Sequence, residues 1–344
     1  MKILIATDAW WPQINGVVQT LASTIAELER RGHTTHVISP QDFRNAPMPG
    51  YREIRLAWPG LTKIRSILKE FQPDHVHIAT EGPIGWAMRR ICVKQRRRFT
   101  TCYHTRFPEY LRERLPVPVK ATYRVFRRFH NASNGMMVAT DTIERDLKAR
   151  GFQNLMRWSR GSDISAFKPG LPPVLDLPRP IFLSVGRLAP EKNIEAFLSL
   201  DLPGTKVVVG DSPLGPSLRA QFPQAVFLGV KTHAELPAIY GSADVFVFPS
   251  LTDTFGLVLV EALACGLPVA ALPAPGPIDV IGSSGAGIIS DDLQGAAMAA
   301  LRIDRGICRR HAETFTWERA TDQFLANIAR AETAEADPVL LAAE

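Results

Sequence analysis

The run Val245-Phe246-Val247-Phe248 is followed by Pro249-Ser250-Leu251-Thr252-Asp253-Thr254-Phe255-Gly256, then by Leu257-Val258-Leu259-Val260-Glu261-Ala262-Leu263-Ala264-Cys265, and is closed by Gly266-Leu267-Pro268. Four alternating valines and phenylalanines stopped by a proline predict a buried strand. Gly256 then opens an apolar helix, and Gly266-Leu267-Pro268 stops it. A second β-branched run, Val269–Ala271, begins at once. This strand, loop, helix, strand succession is the unit of a parallel sheet.

The same alternation extends in both directions. Before the middle of the chain the predicted strands are Lys2–Thr7, Thr35–Ser39, His75–Ala79, Phe99–Tyr103 and Gly135–Ala139. After it they are Ile181–Val185, Lys206–Val209, Val226–Leu228, Val245–Phe248 and Val269–Ala271, again with helical patterns between. Val18, Leu21, Ala22, Ile25 and Leu28 keep helical spacing until Arg30-Arg31-Gly32-His33 ends the first helix. The stretch 166–180, rich in proline, reads as a linker. The expected organisation is α/β: two Rossmann-like doubly wound domains, 1–165 and 181–315, facing a cleft, with 316–344 forming a terminal helix that returns towards the first domain, plus a frayed tail from Ala331 to Glu344. Ligands of such sheets sit at the carboxyl ends of the strands.

Composition narrows the class. The chain has 344 residues, 46% of them hydrophobic and 22% charged, which excludes disordered and fibrous chains. No eighteen-residue apolar run predicts a spanning helix. The N-terminus reaches Asp8 too early for a signal peptide, so a cytoplasmic location is expected. Cys92, Cys102, Cys265 and Cys308 are far apart and read as reduced, mostly buried thiols. Residues 1–165 carry 27 Lys and Arg against 14 Asp and Glu, a net of +13, and the remainder a net of −7. Two halves of opposite sign suit two different partners.

Three loops at predicted strand ends carry candidate chemistry. Trp10-Trp11-Pro12-Gln13-Ile14-Asn15-Gly16 precedes the first helix, and Gly16 would let a phosphate approach free N–H groups; the competing reading is a plain glycine turn. In Val185-Gly186-Arg187-Leu188-Ala189-Pro190-Glu191-Lys192-Asn193, Arg187 and Lys192 could neutralise a diphosphate, or be two solvated charges. In the third, Asp253 precedes the helix and Glu261 follows after seven intervening residues. The alternative there is an N-capping Asp253 and a partly exposed Glu261. The dinucleotide pattern Gly-x-Gly-x-x-Gly is missing after the first strand, which argues against a dehydrogenase or epimerase.

Together these clusters resemble the retaining nucleotide-sugar glycosyltransferases of the GT-B fold, family four, from Met1 to about Arg330. The acidic residue, seven residues, Glu motif is present with Asp253 in the place usually held by Glu. Gly186, Arg187 and Lys192 match the Gly-Arg-x-x-x-x-Lys element, Gly210-Asp211-Ser212-Pro213 the Gly-Asp-Gly-Pro turn, and Gly161-Ser162-Asp163 the Gly-Val-Asp turn. Tyr103-His104-Thr105-Arg106-Phe107-Pro108 matches the family's cleft histidine; by chemistry alone His104 could equally be structural. The other seven histidines read as structural or exposed. The resemblance implies Gly16, Arg187 and Lys192 at the donor diphosphate, Asp253 with the Phe255, Gly256 and Leu257 backbone at the sugar, Glu261 at the ribose and Val230 near the base. His104, Asp253 and Glu261 are the expected catalytic set. No Asp-x-Asp occurs, in agreement with a metal-independent enzyme needing no cofactor.

The basic stretches have their own reading. Arg89, Arg90, Lys94, Arg96, Arg97 and Arg98 follow Ile84, Trp86 and Met88, while Arg124, Arg127 and Arg128 interleave with Val125, Phe126 and Phe129. A basic amphipathic surface suits the anionic inner face of the plasma membrane, with the protein peripheral to it; a solvated face or a nucleic-acid patch are the other readings, and no nucleic-acid motif accompanies it. The expected activity is hexose transfer from a nucleotide diphosphate sugar, UDP-glucose-type or GDP-mannose, to a membrane lipid such as diacylglycerol. The alternatives are a glycan acceptor in cell-surface polysaccharide assembly and, more remotely, a non-catalytic two-domain binding protein.

Overall fold

The computed structural model describes the chain except for Ile14 and residues 49–50, 115–116 and 334–344, with the backbone alone at 48, 51–54, 110–111 and 113–114. It contains two compact units: Met1–Ser159 together with the chain from Trp317, and Arg160–Thr316.

In the first unit, strands β1 (Lys2–Ala6) and β2 (Thr34–Ile38) join β5 (His75–Ile78), β6 (Thr100–Tyr103), β7 (Gly135–Val138) and β8 (Leu155–Arg157) in one parallel sheet, ordered β2-β1-β5-β6-β7-β8; β3 (Asn45–Met48) and β4 (Tyr51–Ala57) pair separately and antiparallel. The period of two along β1 divides the core. Ile3 and Ile5 join Leu21 and Leu28 of helix Gly16–Arg30 and Phe324 and Ile328 of helix Trp317–Thr333. Leu4 and Ala6 face the opposite way, onto Ile64, Leu68, Ile84, Met88 and Ile91. Burial on both faces is why these strands read as continuous apolar runs.

Helix Trp317–Thr333 reaches this sheet after the chain has completed the second unit. Asn327 donates to the Arg157 carbonyl at 2.7 Å, Gln323 accepts from the Ser159 N–H at 2.7 Å, and Arg31 donates to the Glu318 carbonyl at 2.9 Å. The expected frayed tail lies outside the described residues from 334 onward.

The second unit repeats the plan with β9 (Ile181–Val185), β10 (Thr205–Val209), β11 (Val226–Phe227), β12 (Val245–Phe248), β13 (Val269–Ala271) and β14 (Gly287–Ile289), ordered β11-β10-β9-β12-β13-β14 and all parallel. Phe182, Val208, Val245, Val247 and Ala270 pack against Phe197, Leu218, Ala296 and Ala297 of the covering helices.

The expected linker at 166–180 lies a little beyond the point where the two units divide. The chain leaves the first unit at Ser159, and the proline-rich stretch is docked within the second. Arg309 donates to the carbonyls of Ile164, Phe167 and Ala264 at 2.8–3.0 Å, Ser242 accepts from the Val174 N–H at 2.8 Å, and Phe167 is fully buried. Proline forbids helix and ladder there but not docking through carbonyls. All four cysteines are free and buried, and burial pushes the thiols of Cys92 and Cys265 up to about 12. No helix among the described residues is long and apolar enough to cross a membrane.

Candidate active site

The second unit gathers Arg187, Lys192 and Asp253 at the carboxyl edge of its sheet. The loop after β9 does not open directly into a helix: Pro190–Lys192 is a 3-10 turn, Asn193 adopts a left-handed conformation, and only then does helix Ile194–Leu198 begin. The turn carries Lys192, whose ammonium donates to both Asp253 oxygens, at 2.6 and 2.8 Å. Arg187 lies 3.4 Å from Glu191, a buried carboxylate that sequence reading passed over. The Glu191 carbonyl accepts from the Ser250 hydroxyl at 3.2 Å, so the loops after β9 and β12 are bonded to each other.

Asp253 is not the N-cap of the next helix. That place belongs to Gly256, at φ +84°, and the Asp253 carbonyl instead accepts from the Gly276 N–H at 3.0 Å. A Cβ on Gly276 would stand 2.5 Å from the Phe255 carbonyl oxygen, so glycine permits the approach. Burial would raise the Asp253 carboxyl, but the charge and hydrogen bonds of Lys192, with Ser250 and Arg187, outweigh it and hold it below the usual carboxylate range. The side chain of Phe255 is buried edge-on against Phe315 at 5.8 Å, so only its backbone can serve a ligand. Leu257 begins helix Leu257–Ala264, and Val230 is exposed in the loop after β11.

Glu261 is not partly exposed either; its side chain is 9% accessible. Burial pushes its carboxyl up to about 7, opposed by the hydrogen bond that the Tyr240 hydroxyl donates to Oε2 at 3.0 Å. Tyr240 gives no sequence signal beyond an aromatic at helical spacing. The Ser212 departure is harmless, because Gly210 takes the positive φ of that turn (+125°) and Ser212 does not. A Cβ at Gly210 would fall 1.9 Å from the Gly186 carbonyl oxygen.

Gly16 and His104 belong to the first unit. Asn15 caps helix Gly16–Arg30 by accepting from the Val17 and Val18 N–H groups at 3.0 Å, which commits those two donors internally. His104 follows β6 and meets the Trp158 ring edge-on at 5.9 Å; Trp158, fully buried, also contacts His77 and Phe324. Asp8, at the end of β1, fills the N-terminus of helix Pro83–Lys94 by accepting from Ile84 N–H at 2.8 Å, and burial raises its carboxyl.

The basic residues divide by what they touch. Arg89 donates to the carbonyls of Phe129 and Arg128, Arg97 to that of Pro73, Arg98 to that of Glu332 and Arg127 to that of Arg150, so these four hold helix and turn ends. Arg90, Lys94, Arg96, Arg124 and Arg128 are exposed. A hollow of about 280 Å³ is lined by Arg65, Ile91, Lys94 and Gln95. Among the described residues no three His, Cys, Asp or Glu side chains gather to hold a metal ion.

The description "Glycosyltransferase Family 4" fits residues 14–166, and "Glycosyl transferases group 1" fits residues 172–306. The GDP-mannose-dependent alpha-mannosyltransferase of Mycobacterium tuberculosis is 31% identical over 311 residues, 82% of this chain and 81% of that protein. The alpha-monoglucosyldiacylglycerol synthase of Streptococcus pneumoniae is 25% identical over 351 residues, covering 88% of this chain and 78% of that one. Among solved structures, sucrose-phosphate synthase from Thermosynechococcus elongatus matches with a TM-score of 0.80 at 19% identity, over 97% of this chain and 100% of that one, a likeness of fold. Two doubly wound parallel sheets of this order define the GT-B class of glycosyltransferases. The chain belongs to glycosyltransferase family 4.

Proposed function

We propose that the protein transfers a hexose, with retention of configuration and without a metal, from a nucleotide diphosphate sugar to a lipid acceptor such as diacylglycerol in glycolipid synthesis. The observation that carries this is the pairing of Lys192 with Asp253, with Arg187 beside Asp253 and Glu191: two cations and two carboxylates at the carboxyl edge of one sheet. Lys192 and Arg187 neutralise the leaving diphosphate, the role a metal would otherwise fill. Gly16 lets the diphosphate come close to the start of helix Gly16–Arg30. Asp253 and the backbone of Phe255, Gly256 and Leu257 hold the sugar, Glu261 the ribose, Val230 the base edge, and His104 the reacting sugar or the acceptor. Attack on the same face through an oxocarbenium-like state accounts for retention: the acceptor oxygen bonds to the anomeric carbon as the bond to the diphosphate breaks, and the departing phosphate takes the acceptor's proton.

The names of two relatives support a mannosyl or glucosyl donor, and one names a diacylglycerol product. The exposed Arg90, Lys94, Arg96, Arg124 and Arg128 support peripheral binding to an anionic bilayer such as the inner face of the plasma membrane. Thermal shift with GDP, UDP and NAD tests the donor class. Stabilisation by GDP or UDP is expected, and stabilisation by NAD alone would end this reading.

A further inference from the structure

His233 has no role in the reading above, yet the structure places it against Glu261. Its Nε2 stands 3.8 Å from Glu261 Oε1, beyond hydrogen-bond reach. The other carboxylate oxygen is taken, since Oε2 accepts from Tyr240. Oε1 is therefore the oxygen offered to a ligand, and the imidazole nitrogen stands beside it. A hydroxyl oxygen about 2.8 Å from each atom would accept from Nε2–H and donate to Oε1, which two atoms at this separation permit.

The imidazole is held in place. Its loop is tied by Thr232, whose N–H and hydroxyl donate to the Glu235 carboxylate at 2.8 and 2.7 Å while its carbonyl accepts from the N–H groups of Glu235 and Leu236. Phe167, fully buried, backs the ring edge-on at 4.8 Å. The side chain nevertheless remains 44% accessible. Such a residue, fixed behind and open in front, is built for contact rather than for packing.

We propose that His233 and Glu261 together seat one ribose hydroxyl of the donor nucleotide, His233 donating and Glu261 accepting. This rests on the reading of the second unit as the nucleotide-sugar site. It adds a histidine to the donor-binding residues and makes selection for a ribonucleotide depend on it.

The test is calorimetric titration of the full chain with GDP and UDP, then with the 2′-deoxy and 3′-deoxy forms of whichever binds more tightly. For the wild type, one deoxy form should bind about tenfold more weakly than the ribonucleotide. His233→Ala should weaken the ribonucleotide about five- to tenfold while changing that deoxy form less than twofold, and His233→Gln, which keeps an N–H donor, should recover part of the loss. Equal weakening of both forms by His233→Ala, or no weakening of either, would overturn the role of His233 while leaving the nucleotide site intact. Failure of the wild type to bind either GDP or UDP would overturn the donor reading and this inference with it.

Discussion

The ammonium of Lys192 lies within 2.8 Å of both oxygens of Asp253, a residue 61 positions further along the chain. The pair ties the turn after β9 to the loop after β12 and sets a cation and a carboxylate side by side. A diphosphate sugar presents the matching order, phosphate then sugar hydroxyls, so one pair can serve both ends of the bond that breaks.

The two partners should fail differently. Lys192→Met should weaken nucleotide diphosphate binding at least tenfold and lower kcat/KM by about 10²–10³. Asp253→Asn should lower kcat/KM about as much but leave nucleotide diphosphate binding within about threefold, because on the proposed reading it meets the sugar and not the phosphates. Titration calorimetry and steady-state kinetics on both variants separate these outcomes.

Glu261 should make stability depend on pH. Burial raises its carboxyl from 4.5 to about 7, so the folded chain keeps a proton that the unfolded chain releases. The stabilising contribution of the protonated group is complete below about 4.5 and is lost as pH rises through about 7, on the order of 3 kcal/mol in all. Glu261→Gln, which still accepts from Tyr240, should therefore melt above the wild type at pH 8 and near it at pH 5, both without nucleotide. Differential scanning calorimetry at the two pH values is the check.

Gly256 starts helix Leu257–Ala264 at φ +84°, and a Cβ there would stand 3.0 Å from Leu259 Cδ1. Gly256→Ala should cost about 1–3 kcal/mol in urea unfolding.

Trp158 packs on Phe324 of the returning helix at 4.9 Å and on His104 at 5.9 Å. Trp158→Ala should cost about 3–5 kcal/mol, and Trp158→Phe markedly less, by the same unfolding measurement.

The basic face should separate binding from stability. Replacing Arg90, Lys94, Arg124 and Arg128 by Glu should abolish flotation with phosphatidylglycerol vesicles and leave the melting temperature within about 2 °C. Arg89→Ala, which strips donors from the Phe129 and Arg128 carbonyls, should instead lower the melting temperature with flotation retained.

Much of this architecture was written in local pattern. Ile181–Val185, Val245–Phe248 and Val269–Ala271 match the observed strands end for end, because strands buried on both faces leave unbroken apolar runs. Leu155–Arg157 and Gly287–Ile289 escaped, being three-residue edge strands, and so did the hairpin of β3 and β4, whose first strand contains Pro47. In the candidate site the charged residues were legible because their spacing is distinctive. Tyr240 and His233 were not, since each meets Glu261 from a different segment of the chain; Glu191 stands only four positions from Arg187, and what hid it is its burial, which no spacing announces. For the proline-rich stretch, composition told what 166–180 could not form but not what it docks on, since the Arg309 donors that anchor its beginning lie over a hundred residues away.

The most direct test of donor chemistry is incubation of the protein with radiolabelled GDP-mannose or UDP-glucose and a total lipid extract, with EDTA present, followed by determination of the anomeric configuration of any labelled lipid. Transfer from one of the two donors is expected, with the α configuration of that donor kept in the product and with the label lost in Lys192→Met. A product of inverted configuration, or label that appears only when a divalent metal is supplied, would contradict the mechanism; no labelled lipid from either donor would contradict the assignment itself.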